Sequence, residues 1–408
     1  MPEADRHLQL HSVVCPIGYT SRKKVPVENN LQMMLGTVNH IFNNDPRRSF
    51  VYGLTIGEDS FTMSYFSRSH SVFSQPLNWV LGVKEIVTVL LFTIFATSEE
   101  MDFDPSITRT SRADVKNPLE NYVYDLGNSM YYKTVRSIAE FKSLKIANRA
   151  TRVWKVQRIR CKSDLTSTEG RACVLKDVWL PQNAKSEKTI QDDIFKDIDG
   201  FFSKLSNLLD SKDFSSLPAF DGLPPEMRSW VIDNLAENQY KHYFLNILHE
   251  KQGRPSKQQV KGAKVISTAE FRDPLSIDAS ATDSAGSDSG VPVHSNHSLR
   301  LDYTPINVQS SKPEFPYVTR RQVIFSDVCK SLYELDEFRD AMVALQGGFA
   351  GLLAMFLGGW VHRDISGGNI LRVELSGVGV IADLEYAKPL EDVSGHDPKM
   401  GTSIFMAT

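Results

Sequence analysis

Apolar and polar positions alternate through SFVYGLTI and SFTMSYFS, two runs between Ser49 and Ser67 separated by Gly57-Glu58-Asp59. A period of two buries one face of a strand, and a short glycine-bearing break folds such a pair into a hairpin. Trp79 to Thr97 holds the largely apolar run Ile86 to Ala96 and predicts a helix packed on that hairpin. The run is too short to cross a bilayer. Weaker helical spacing covers Leu31 to Phe42. Three strand-like runs follow, Glu140 to Ala147, Thr151 to Ile159 and Ala172 to Leu180. From Ser186 to Phe202, Ile190, Ile194, Ile198 and Phe201 recur at helical spacing and predict a helix with one buried face. Arg320 to Cys329 returns to a strand pattern. Asp336 to Gly358 then carries Phe338, Met342, Leu345, Phe349, Leu352, Leu353 and Phe356 on a broad stripe, which predicts a core helix. Val378 to Ile381 reads as a last short strand.

Strands and helices in this mixture predict an α+β protein. Residues 1–130 form an N-terminal α+β module in this reading, and 131–408 a second domain, interrupted by an insertion at about 254–300. At the heart of that insertion lies SIDASATDSAGSDSG, too poor in apolar residues to offset its ordering entropy, so disorder is expected there. A chain of 408 residues can bury one large core or two modest ones. Its net charge of −3 gives no general reason to expect nucleic acid as a partner, and no membrane segment is expected. Four scattered cysteines without a CxxC pair point to neither a disulfide framework nor a zinc site, hence to a reducing, intracellular location in cytoplasm or nucleus.

The candidate chemistry concentrates in Val361 to Leu371, VHRDISGGNIL. His362, Arg363 and Asp364 precede Asn369 with the spacing H-R-D-x-x-x-x-N of a phosphoryl-transfer catalytic loop. There an Asp accepts the proton of an attacking hydroxyl, and an Asn reaches a metal ion on the nucleotide phosphates. After the last strand comes Asp383, placed for a second metal ligand. Upstream, ACVLKDVW carries Lys176 behind three apolar residues, as does the strand whose Lys holds the α and β phosphates. Such a Lys needs a carboxylate on the next helix, and Glu187 and Asp193 are both candidates. The turn between the first two strands of this domain, Ala147-Asn148-Arg149-Ala150-Thr151, has no glycine, and Asn148 is the residue able to take a left-handed conformation in its place.

Together with Gly401-Thr402 and Phe405-Met406-Ala407, the sequence HRDISGGNIL resembles the fungal-type protein kinase family, whose members carry HRDIS-x-GNIL and GT-x-x-FMA. The resemblance implies a two-lobed kinase-like fold, with a β-rich small lobe and a mainly helical large lobe. It implies ATP and Mg²⁺ as cofactors and a protein substrate phosphorylated on Ser or Thr. Backbone groups of Asp327 and Cys329 would then hold adenine, with Ser326 guarding the deeper pocket. Arg363 would bridge the catalytic and activation segments, and Thr402 would contact the docked peptide. Three departures stand out. Most kinases have a Lys two residues after the catalytic Asp, where this chain has Ser366. Asp383-Leu384-Glu385 replaces D-F-G. The chain stops at Thr408, so a large lobe truncated at its C-terminal end, with little activity, is expected. These departures keep a second reading open, a pseudokinase or truncated scaffold without catalysis. A small-molecule phosphotransferase is a third.

Overall fold

A computed structural model describes residues 13–19, 27–110, 122–140, 146–258 and 317–392. Most of the insertion expected at 254–300, and Thr402, lie outside the described residues. At the N-terminal end β1 (Ile17–Tyr19) is followed by helix α1 (Val27–Asn44) and the expected hairpin, β2 (Phe50–Ile56) and β3 (Ser60–Ser67). Its register runs from Phe50 opposite Ser67 to Ile56 opposite Phe61. β1 joins β2 in parallel, and β4 (Ser71–Phe73) and β5 (Leu77–Asn78) pair with β3. Met34, Val38, Ile41 and Phe42 of α1 pack on Val51 and Phe66. Helix α2 (Val83–Phe95) is seated through Ile86 beside Leu54 and Phe61, while Val87, Leu91 and Ile94 remain exposed.

A seven-stranded antiparallel sheet follows, in the order β11-β12-β10-β9-β8-β7-β6. Its strands are β6 (Ile107–Arg109), β7 (Tyr122–Asp125), β8 (Tyr131–Glu140), β9 (Arg152–Cys161), β10 (Asp164–Pro181), β11 (Ile247–Pro255) and β12 (Val318–Phe325). β6 and β7 precede residue 130 and pair into the sheet through β8, so the sheet runs across the expected domain boundary. Most of the strand expected at 140–147 lies outside the described residues, and its first residue, Glu140, is the last of β8. Register shifts between Thr134 and Arg136 and between Ser137 and Ala139 break its alternation, which hides the strand from a period-two reading. One face of the sheet buries Trp154, Val156, Leu175 and Ile324 with Tyr122 and Tyr124.

Buried arginines join this sheet to the N-terminal elements. Arg320 donates to Asp177 Oδ1 at 2.7 Å and to Asp104 Oδ2 at 3.3 Å. Arg68 and Arg152 both donate to the carbonyl of Phe42, at 3.0 and 2.5 Å. Asp102, left-handed at φ 68°, accepts hydrogen bonds from the Ser49 hydroxyl and the Phe50 N–H, tying the start of the hairpin to the end of the segment after α2.

On the other side of the sheet are α3 (Glu187–Ser206), α4 (Pro218–Asp221), α5 (Pro225–Leu235) and α6 (Phe338–Leu357), with β13 (Cys329–Ser331), β14 (Trp360–Val361), β15 (Ile370–Val373), β16 (Gly379–Ile381) and β17 (Lys388–Pro389). Ile190, Ile194, Ile198 and Phe201 face inward from α3, as their spacing predicts. The broad stripe of α6 does so only at Leu353, with Leu352 half-buried. Phe338, Met342, Leu345, Phe349 and Phe356 are exposed, Phe338 at 80%. The buried residues are Ala344, Gly347, Gly348, Ala350, Gly351 and Ala354, followed in the last turn and a half by Leu353, Met355 and Leu357. Close approach decides the matter, since a Cβ on Gly347 would lie 2.0 Å from the carbonyl oxygen of Gly379. Larger residues cannot stand at Gly347 or Gly351, where β16 comes close, and the helix is apolar on both faces. Among the described residues α6 is the one helix long and apolar enough to cross a membrane, and half of that span is buried within the protein.

Candidate active site

Lys176 sits in the middle of the sheet, with β10 paired to β9 and β12 on its two sides, Val153 and Val323 being its neighbours in register. Successive side chains of a strand face opposite ways. Val174 and Lys176, with Val153, Val323 and Phe325, therefore share one face, while Leu175 and Asp177 share the other. On the Lys176 face lies a cavity of about 380 Å³.

Glu187 reaches that cavity because β10 extends to Pro181 and a short turn then starts α3. Ser186 caps the helix, its hydroxyl accepting from the Thr189 N–H at 3.1 Å, so the next residue is the first of the helix. Lys176 Nζ lies 2.8 Å from Glu187 Oε2 and 2.9 Å from Asp383 Oδ1, with Glu385 Oε2 at 3.9 Å. Of the two carboxylates that spacing left open, Glu187 is thus the partner. Asp193 lies on the exposed side of α3 and pairs with Lys185 at 2.8 Å. Burial disfavours the Lys176 ammonium, but Asp383, Glu187 and Glu385 outweigh it and raise its pKa. Burial likewise works against the Asp383 anion, which Lys176 nevertheless holds below the ordinary carboxylate range. Glu385, buried and beside Asp383, is pushed up to about 7 despite Lys176 and Arg149.

The segment 362–369 is braced against the strand that delivers Asp383. His362 is buried; its Nε2–H donates to the carbonyl of Ala382 at 2.9 Å, and its Nδ1 accepts from the Asp364 N–H at 3.3 Å. Ala382 N–H donates to the Asn369 carbonyl at 2.9 Å. Asn369 Nδ2 donates to the carbonyl and the carboxylate of Asp364, at 2.8 and 3.1 Å. Arg363 and Asp383 both adopt left-handed backbone, at φ 69° and 61°, each two residues beyond the end of a strand, and Asp383 lines the cavity. Ser366 is buried, and its carbonyl accepts from the N–H groups of Asn369 and Ile370.

Asp327 and Cys329 line the cavity, as does Phe325, but Ser326 does not. The Ser326 hydroxyl instead donates to Asp327 Oδ2 at 2.5 Å, and Asn246 approaches it at 3.3 Å. Ser326 therefore does not face the cavity, because the period of two puts residues 323 and 325 on that face. Burial, with Asp327 and Glu374 beside it, pushes the Cys329 thiol up to about 12, which disfavours the thiolate. Asn148 is not on the cavity lining. Its Oδ1 accepts from the Ala150 N–H at 2.6 Å, and the left-handed residue of this turn is Ala150 at φ 44°, not Asn148.

Arg149 and Tyr386 carry no motif in the sequence, and Glu385 enters it only as the last residue of the triplet that replaces D-F-G. Arg149, on the turn beside Asn148, donates to Glu385 and to the hydroxyl of Tyr386. The contact spans 236 residues of chain, so no local spacing announces it.

Among the described residues no group of three or more His, Cys, Asp or Glu side chains could hold a metal by itself. Asp383 and Asn369 offer two hard oxygen donors, the Asn369 amide nitrogen being committed to Asp364. That donor set suits Mg²⁺, which takes one or two protein ligands and completes its shell with phosphate and water.

Comparison with known proteins adds the family. A search among curated proteins finds no match. The sequence profile described as fungal protein kinase matches residues 2–408, over which lie both the ion-paired Lys176 and the loop of Asp364 and Asn369. This chain belongs to the fungal protein kinase family.

Proposed function

We propose that the chain uses ATP to phosphorylate Ser or Thr hydroxyls of a protein substrate inside the cell. The observation that carries this reading is the meeting of Lys176, Glu187 and Asp383 within 2.9 Å at the wall of a cavity that also holds Asn369. In this reading the cavity lies between a β-rich lobe, the seven-stranded sheet, and a helical lobe built on α6. Adenine lies against the backbone of Asp327 and Cys329, below Phe325. Lys176, held in place by Glu187, grips the α and β phosphates. Asp383 and Asn369 hold Mg²⁺, which supplies charge neutralisation on the phosphates. Asp364 orients the attacking hydroxyl and takes its proton. The Ser/Thr preference and the peptide contact at Thr402 follow from family membership alone. Four unpaired cysteines accord with a reducing compartment.

The test is a pair of melting curves with and without ATP and Mg²⁺, for the chain and for Asp383→Ala. A Mg²⁺-dependent rise in midpoint for the chain, lost in the variant, is expected; absence of any rise for the chain would overturn the reading. In a radiolabel assay on a generic protein substrate, Asp364→Asn should lose about 10²- to 10⁴-fold in turnover with nucleotide binding retained.

A further inference from the structure

Phosphoryl transfer concentrates negative charge at the terminal phosphate, and two places where a kinase-like site would meet that charge are altered here. Ser366 stands where a Lys is usual; it is buried, and its carbonyl is already engaged. The turn of residues 147–151 lacks the glycines whose bare backbone would approach the phosphates. It carries a guanidinium instead.

We propose that Arg149 is the cation that binds the terminal phosphate of the nucleotide, parked on Glu385 and Tyr386 until nucleotide arrives. This rests on the nucleotide-binding reading above. The backbone of Arg149 is anchored, its carbonyl accepting from the Trp179 N–H at 2.8 Å, three residues along β10 from Lys176. The Asn148–Ala150 hydrogen bond and the left-handed Ala150 fix the turn from which the side chain leaves. From there it reaches over to Glu385, itself 3.9 Å from Lys176 Nζ, with its guanidinium carbon 5.2 Å from the centre of the Tyr386 ring. The Arg149 Nε is buried without a hydrogen-bond partner, so the present pairing leaves one donor of the fork unused. A phosphate can engage two donors of a guanidinium at once, and exchanging a carboxylate for a phosphate keeps the charge pairing while using that donor.

The test compares ATP with ADP, each with Mg²⁺, by titration calorimetry on the chain and on Arg149→Ala, Arg149→Lys, Glu385→Gln and the Arg149→Ala/Glu385→Gln double variant. For Arg149→Ala, ATP affinity should fall about ten- to hundredfold with ADP affinity unchanged, and Arg149→Lys should fall between. Glu385→Gln, which frees the guanidinium, should bind ATP more tightly, and that gain should vanish in the double variant. Equal losses for ATP and ADP, or a gain that survives without Arg149, would overturn the proposal and leave the nucleotide reading standing. If the unmodified chain binds neither nucleotide, the nucleotide reading fails and this proposal with it. Should Arg149→Ala not fold, the Arg149→Lys ratio of ATP to ADP affinity decides, an unchanged ratio counting against.

Discussion

Asp102 is a residue whose ionisation works against the fold. It is largely buried, and burial pushes its carboxyl up to about 6 although Ser49 and Phe50 hydrogen-bond to it and Arg48 is near. Between its ordinary pKa near 4 and this raised value, the folded chain keeps a proton that the unfolded chain has lost. Its contribution to stability is therefore whole below about pH 4 and is lost as pH rises through about 6, a change of about 3 kcal/mol. Asp102→Asn copies the protonated form and suits the left-handed backbone. Relative to that variant, the unmodified chain should lose stability in urea melts across this interval; parallel curves would refute the assignment. At this scale much of the candidate site can be read from the sequence, because Asp364 to Asn369 and the residues before Lys176 lie within a single loop or strand. What stays hidden is set by distance along the chain or by where an element ends. Glu187 and Asp193 could be separated only by knowing that β10 stops at Pro181 and α3 begins at once, and Arg149 with Glu385 only by folding the chain.

Among the elements, α6 teaches why hydrophobic spacing finds a helix more surely than it finds the inward face. Both of its faces are apolar, so the period is plain while the orientation follows from how near β16 must come. Gly347→Ala should therefore cost about 1–3 kcal/mol or more, as an overpacked contact against backbone that has no room to shift. Phe349→Ser, on the exposed side, should leave the urea midpoint within about 0.5 kcal/mol of the unmodified chain. Reversed sensitivities would mean that the helix is turned the other way. β8 shows the opposite difficulty, a real strand whose bulges erase the alternation by which strands are recognised.

For the whole molecule, the α+β class follows from the sequence, as do the hairpin, the long helices and the strands that carry Val153, Lys176 and Val323, whereas β6, β7, α4, α5 and β11 go unannounced and the sheet runs past residue 130. Tyr122 and Tyr124 are buried in the core of the seven-stranded sheet, and the Tyr124 hydroxyl lies 3.2 Å from Asp177. A chain beginning at residue 131 would lose both rings, expose the edge of β8 and leave Arg320 without Asp104. It should unfold at lower urea than the full chain or fail to give a cooperative transition; an unchanged midpoint would show a self-sufficient second domain. β10 also carries a proofreading device. Lys176 and Asp177 are neighbours whose side chains leave opposite faces, one toward three carboxylates and the other toward Arg320. A slip of β10 by one residue in one direction would bring the ammonium to the place beside Arg320, and in the other would bring the Asp177 carboxylate in among the cavity's carboxylates, so either slip trades an attraction for a repulsion. Misaligned pairings of this strand are thus penalised in either direction, and the correct one is selected by charge as well as by fit.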